Sequence, residues 1–214
     1  MNGLDIIQGS PEWHQARLGR VTASRVADIV RRTKTGYSTS RANYMAELIA
    51  ERLTGTAADS YKSPAMQWGT DHEADARSNY EFMTDSEVVP VGFVEHPAIG
   101  MTGASPDGFV GADGLVEFKC PLTSTHLDTL LGGKISGDYI TQVQWQMACL
   151  PERQWCDWAS FDPRLPASMR LFIQRVPRND KMIEDLNGEV IAFLVELNDK
   201  LAALRAKYEL RAAA

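Results

Sequence analysis

Apolar residues recur at helical three- and four-residue intervals through the first third of the chain, at two-residue intervals through its middle, and at helical spacing again towards the end. Such changes of period separate helices from half-buried strands. Ser10-Pro11-Glu12 reads as an N-cap, a proline at the first helical position and an acidic first turn. It opens a short helix through Trp13 and Arg17 that Gly19 can end. A second helix starts at Thr22 or Ser24 and carries the stripe Val26, Ile29 and Val30. Arg31 to Gly36 reads as an exposed basic loop, and a third helix spans about residues 40–53 before Gly55 stops it. Ser63-Pro64 repeats the start signal ahead of a helix over residues 66–83, which bears Glu73.

In the middle, residues 88–94 read as a strand, and Pro90, which cannot donate to a ladder, predicts an edge or an irregularity there. Residues 99–103, 108–110 and 115–119 follow as short strands between Gly-rich turns. Helices are expected over about 124–131 and 138–150, the second placing Gln142 and Gln146 on one face at i,i+4. Strands over 155–161 and 169–176 precede a long helix from Asn179. Its stripe Leu186, Val190, Phe193, Leu197, Leu201, Leu204 and Tyr208 is expected to dock on its own domain in preference to forming an oligomer seam. The tail Arg211 to Ala214 is expected to fray. No repeat, linker or low-complexity tract interrupts this order, so residues 1–214 read as a single domain with a helical N-terminal part and a long C-terminal helix.

Composition narrows the class. With 44% apolar and 23% charged residues the chain has the make-up of an ordinary globular protein, and no apolar run is long enough to span a bilayer. Met1-Asn2-Gly3-Leu4-Asp5 lacks the basic and apolar regions of a secretory signal, so a cytoplasmic location is expected. Cys120, Cys149 and Cys156 form no C-x-x-C pair, which points to buried thiols rather than a disulfide framework or a zinc site. The four histidines are too scattered for a metal cluster. A net charge of −6 is not the basic footprint usual in nucleic-acid binders, although a metal-dependent nuclease must hold acids at its centre.

The candidate chemistry lies between Ser105 and Lys119, S-P-D-G-F-V-G-A-D-G-L-V-E-F-K. In a period-2 strand Glu117 and Lys119 share one face while Val116 and Phe118 share the other, and Asp107 can meet the charged pair from the preceding segment. Two converging carboxylates suit a hard divalent cation such as Mg²⁺, which takes oxygen ligands and keeps waters for a phosphate to displace. A lysine beside them supplies positive charge to a phosphoryl oxygen or orients a metal-bound water. The spacing alone also fits a surface hairpin closed by a cross-strand salt bridge.

Asp107, Glu117 and Lys119 resemble the PD-(D/E)XK nuclease signature, and the wider chain resembles the phage lambda exonuclease family, the YqaJ-type viral recombinases. The resemblance runs through Trp13-His14, Arg17-Leu18-Gly19, Thr22-Ala23-Ser24, Trp68-Gly69, Glu73 with Asp75-Ala76-Arg77, and Ser105-Pro106-Asp107-Gly108. It continues through Glu117-Phe118-Lys119-Cys120-Pro121, Thr123-Ser124, Leu131-Gly132-Gly133, Tyr139, Gln142-Val143-Gln144 and Asp162-Pro163-Arg164.

That resemblance implies an α/β restriction-endonuclease-like fold, a central mixed sheet flanked by helices. It also implies a Mg²⁺-dependent exonuclease, with Mn²⁺ a possible substitute, that degrades the 5′ strand of duplex DNA. The 3′ overhang would pass to a phage-type single-strand annealing protein in recombination inside a bacterial host cell, and the assembly would be a homotrimer ring. By position, Asp107, Glu117 and the backbone carbonyl of Phe118 would bind metal, Lys119 would position the attacking water, and Glu73 and Gln142 would complete the site. Arg17, Ser24 and Ser105 would hold the terminal 5′ phosphate, and the basic loop from Arg31 to Lys34 falls where family members contact downstream DNA. A structure-specific or restriction-type endonuclease using the same residues, and a non-catalytic DNA-binding recombination scaffold, are the alternatives.

Overall fold

The structure, a computed structural model, describes residues 6–57 and 64–212. Its helices are α1 (Pro11–Arg17), α2 (Val26–Val30), α3 (Thr39–Thr54), α4 (Pro64–Thr84), α5 (Thr123–Gly132), α6 (Gly137–Cys149) and α7 (Asp180–Ala212). Its strands are β1 (Val21–Thr22), β2 (Arg32–Thr33), β3 (Gly36–Tyr37), β4 (Val88–Val89), β5 (Val94–Glu95), β6 (Thr102–Ala104), β7 (Gly108–Val110), β8 (Gly114–Lys119), β9 (Trp155–Phe161) and β10 (Leu171–Pro177).

The central sheet has the order β10-β9-β8-β7-β4. β8 and β9 are parallel, joined through α5 and α6, and every other pairing in this sheet is antiparallel. Alternate residues of β8 go to opposite faces. Val116 and Phe118 join Ala76 and Tyr80 of α4, with Ala159 and Phe161 of β9, in one apolar cluster. Leu115 joins Val143, Trp145 and Met147 of α6, Trp158 of β9 and the inner stripe of α7 in the other. The sheet is thus sandwiched between α4 and α6, and β8 lies at its centre.

The local signals act as their chemistry requires. The Ser10 hydroxyl accepts from Trp13 N at 3.2 Å to start α1, and Gly55 ends α3 in the left-handed conformation at φ 68°. Ser63, the expected cap of α4, lies outside the described residues. The 88–94 segment divides as Pro90 foretells: β4 pairs with β7 in the central sheet, while β5 pairs with β6 in a separate three-stranded sheet, β1-β6-β5. β1 was not expected; residues 21–22 are too few for a period to register, and the expected helix begins instead as a 3-10 turn over Ala23–Arg25.

The basic loop is a small exposed hairpin, β2–β3. Arg32 is drawn to Glu189 of α7 at 2.6 Å and Arg31 to Asp138 at 2.5 Å, so much of its charge is already paired within the chain. On α7, Leu186, Val190, Phe193, Leu197 and Leu201 are buried against the domain as expected, whereas Leu204 and Tyr208 are exposed. The backbone of α7 stays helical through Ala212, and Ala213 and Ala214 lie outside the described residues. No helix is long and apolar enough, among the described residues, to cross a membrane.

Candidate active site

The site gathers at the C-terminal end of β8. Register fixes its first two members: Gly108 pairs with Val116, so one step further along the antiparallel ladder Asp107 stands opposite Glu117. Glycine is required at 108 because a Cβ there would overlap the Val88 side chain, and this lets β4 close over the segment that carries Asp107. Asp107 Oδ2 accepts from the backbone N–H of Phe118 at 2.6 Å. A second tie comes from far away in sequence. Gln8 donates from Nε2 to both Val91 O and Pro106 O, each at 2.8 Å, pinning the residue before Asp107.

Glu117 is 3% exposed and accepts from three donors. Its Oε1 accepts from Lys119 Nζ and from Gln142 Nε2, and its Oε2 from Gln146 Nε2, all at 2.5 Å. Lys119 also lies 5.3 Å from the centre of the Tyr139 ring. Glu73, half-buried on α4, lines two cavities of about 540 and 460 Å³. The first is also lined by Gln8, Arg77 and Asp107, the second by Phe118, Lys119 and Tyr139, so Glu73 marks the ridge between them.

Three acids therefore lie close to Lys119, and Glu73 also faces Arg77. Burial, and then repulsion from Glu117 and Glu73, pushes the Asp107 carboxyl well above the usual carboxylate range; Lys119 and the Phe118 N–H offset this only in part. Burial and Glu117 raise Glu73 in the same way. Burial works to lower Lys119, but Glu117 and Asp107 outweigh it and hold the ammonium charged. Among the described residues, no three His, Cys, Asp or Glu side chains are arranged to hold a metal ion by themselves. The donor set nonetheless fits Mg²⁺: Asp107 and Glu117 bring carboxylate oxygens together at the end of β8, and Mg²⁺ takes only one or two carboxylates while substrate and water supply the rest.

The residues expected to hold a terminal phosphate are only partly assembled. Ser105 Oγ accepts from Trp13 Nε1 at 2.9 Å and from Arg17 Nη1 at 3.4 Å, and the Arg17 guanidinium lies 3.9 Å from the Trp13 ring centre. Burial lowers the Arg17 pKa, an effect only partly countered by Tyr44, Glu117 and Glu51. Ser24 is exposed in the 3-10 turn, and among the described residues no hydrogen bond joins it to Arg17 or Ser105. Gln142 reaches Glu117 directly. The sequence reading missed Gln8, whose contacts leave no periodic trace, and it set Gln146 beside Gln142 without giving it a role.

Residues 12–151 match the family model described as the YqaJ-like viral recombinase domain. The chain belongs to that family. A structure of LHK-Exo, an alkaline exonuclease from Laribacter hongkongensis, is 50% identical, with 92% of this chain and 97% of that one covered and a TM-score of 0.86. LHK-Exo in complex with dAMP, at the same identity and coverage, gives a TM-score of 0.87. A phage-related exonuclease from Haemophilus somnus 129PT shares 14% identity over 86% of this chain and 96% of its own at a TM-score of 0.69, a likeness of fold alone. No curated protein matches at a significant level. The mixed sheet between α4 and α6 is the α/β, restriction-endonuclease-like architecture of this family.

Proposed function

We infer that this family member is a DNA exonuclease, and that it is a Mg²⁺-dependent enzyme acting 5′-to-3′ on linear duplex DNA. It would leave 3′ single strands for a phage-type annealing protein. The observation that carries this reading is the convergence of Asp107, Glu117 and Glu73 on Lys119 at the end of β8. In support, the 50%-identical LHK-Exo, an alkaline exonuclease, matches over nearly its whole length. The whole chain acts as one nuclease domain, and a homotrimer ring in the cytoplasm of a bacterial host is the assembly the family resemblance implies.

Asp107, Glu117 and the Phe118 carbonyl would hold Mg²⁺, or Mn²⁺ in its place, and the ion when bound supplies Lewis acidity to the scissile phosphate. The rest falls to the chain itself. Lys119, paired with Glu117, sets its charge beside the attacking water and the phosphoryl oxygens. Gln142 holds the Glu117 oxygen that Lys119 also touches. Ser105 accepts the Trp13 N–H and so keeps its own O–H free to donate to a phosphate oxygen. Arg17, stacked on Trp13, offers its planar fork to the same group, and Ser24 would add a hydroxyl.

The test is a timed digestion of blunt linear duplex labelled separately at its 5′ and 3′ ends, with Mg²⁺ or with chelator. Early release of the 5′ label in Mg²⁺ alone is expected. A 5′-phosphate end should be degraded about tenfold faster than a 5′-hydroxyl end, as a dianion binds a cationic pocket better than a neutral hydroxyl, and Arg17→Ala should erase that preference. First release of the 3′ label would reverse the polarity, and cutting of a covalently closed circle would favour an endonuclease.

A further inference from the structure

Gln146 lies one helical turn beyond Gln142 on α6, is fully buried, and has no part in the function proposed above. Its two ends meet different partners. Nε2 donates to Glu117 Oε2 at 2.5 Å, and Oε1 faces the Cys156 thiol of β9, with Sγ at 4.0 Å. Burial pushes that thiol well above its ordinary value, so it stays protonated and faces the amide as a weak donor. An amide with a thiol donor at one end and a carboxylate at the other has no freedom to flip.

A carboxylate offers about four lone-pair sites. On Glu117, Lys119 and Gln142 occupy Oε1, and among the described residues Gln146 alone occupies Oε2. We propose that Gln146 is a positioning residue for the metal-binding carboxylate: it fixes the plane of Glu117 and leaves the remaining site of Oε2 turned towards a hard divalent cation. The terminal torsion of a glutamate is soft, so without this donor Oε2 is no longer held in place, while Lys119 and Gln142 still bind Oε1. Donors placed behind a metal ligand in this way are typically worth about 10–100-fold in metal affinity or activity.

Gln144 supplies the contrast. It is equally buried on α6, but its amide donates to Pro177 O at 2.8 Å and accepts from Asn179 N at 2.9 Å, tying α6 to the start of α7.

The proposal rests on the metal-binding role given to Glu117, and a calorimetric titration of Mn²⁺ into the purified protein without DNA separates the two. Gln146→Met keeps the volume and removes the amide. It should weaken metal binding about tenfold and raise the Mg²⁺ concentration needed for half-maximal hydrolysis in step, with KM for DNA unchanged. Gln144→Met should lower Tm and leave metal affinity alone. Should Gln146→Met fail to fold by circular dichroism, Gln146→Asn, whose amide falls one methylene short, is expected to show the same loss. Wild-type metal affinity in a folded Gln146 variant overturns the proposal. A wild-type protein that binds no Mn²⁺ overturns the metal role of Glu117 itself, and the positioning role with it.

Discussion

Glu117 and Asp157 are both 3% exposed, sit on neighbouring strands of one sheet, and face opposite sides of it. Asp157 turns towards α4 and is fully answered. Arg175 donates to both its oxygens at 2.8 and 2.9 Å, Tyr80 O–H adds a bond at 2.8 Å, and the arginine lies 3.5 Å from the Trp155 ring centre. Glu117 turns towards α6 and pairs with Lys119, which also faces Asp107, while Glu73 faces both Arg77 and Lys119. Burial of an acid therefore does not by itself mark a functional site, because structural ion pairs are buried too. What distinguishes the two is the company each acid keeps: Asp157 has one arginine on both its oxygens, whereas Glu117 pushes up two neighbouring acids, Asp107 and Glu73, despite Lys119 and Arg77.

If that distinction is right, the two acids should respond to neutralisation in opposite ways. Asp107→Asn and Glu117→Gln should cut hydrolysis by about a thousandfold or more, some 4 kcal/mol of barrier. Asp107→Asn should leave Tm unlowered, since mutual repulsion is relieved and the Phe118 N–H keeps an oxygen to donate to. Gel-based nuclease assays and thermal melts on the same preparations measure both; a large fall in Tm would make Asp107 a structural acid. Lys119→Ala comes next, with a rate about a hundredfold lower while Mn²⁺ binding persists, read by kinetics beside calorimetry. The smallest effect is expected from Asp157→Asn. It should cost about 1–2 kcal/mol of stability, given that Arg175 is more than half exposed and its charge is screened. Its rate at 25 °C should stay at the wild-type level, and a lost rate with an intact Tm would erase the contrast.

Much of this was legible in the sequence because it is local. The alternation over residues 114–119 and the Gly-rich turn before it set Glu117 and Lys119 on one face and brought Asp107 opposite, as the register bears out. The helix carrying Glu73 and the face shared by Gln142 and Gln146 were likewise written in helical spacing. That spacing says which residues share a face but not what the face meets, so Gln146 could not be matched to Glu117. Gln8 was invisible for a related reason: a side-chain amide bonding two distant carbonyls has no pattern of its own. The division of residues 88–94 between two sheets was foreshadowed by Pro90, but pairing partners come from the whole fold. Asp157 was one of two polar positions, with Ser160, in a mostly apolar strand, and its arginine lies on the next strand.

The Gln8 clamp also bears on the order in which the molecule comes together. Its bond to Pro106 closes a loop of 98 positions, and contacts of that span form late, after the local helices and hairpins, because the entropy of closing the loop must first be overcome. The residues that complete Glu117 arrive from still further along the chain, on α6. A partly refolded chain can thus hold much of its helix before the site is complete, which requires the N-terminal segment to reach the middle of the chain.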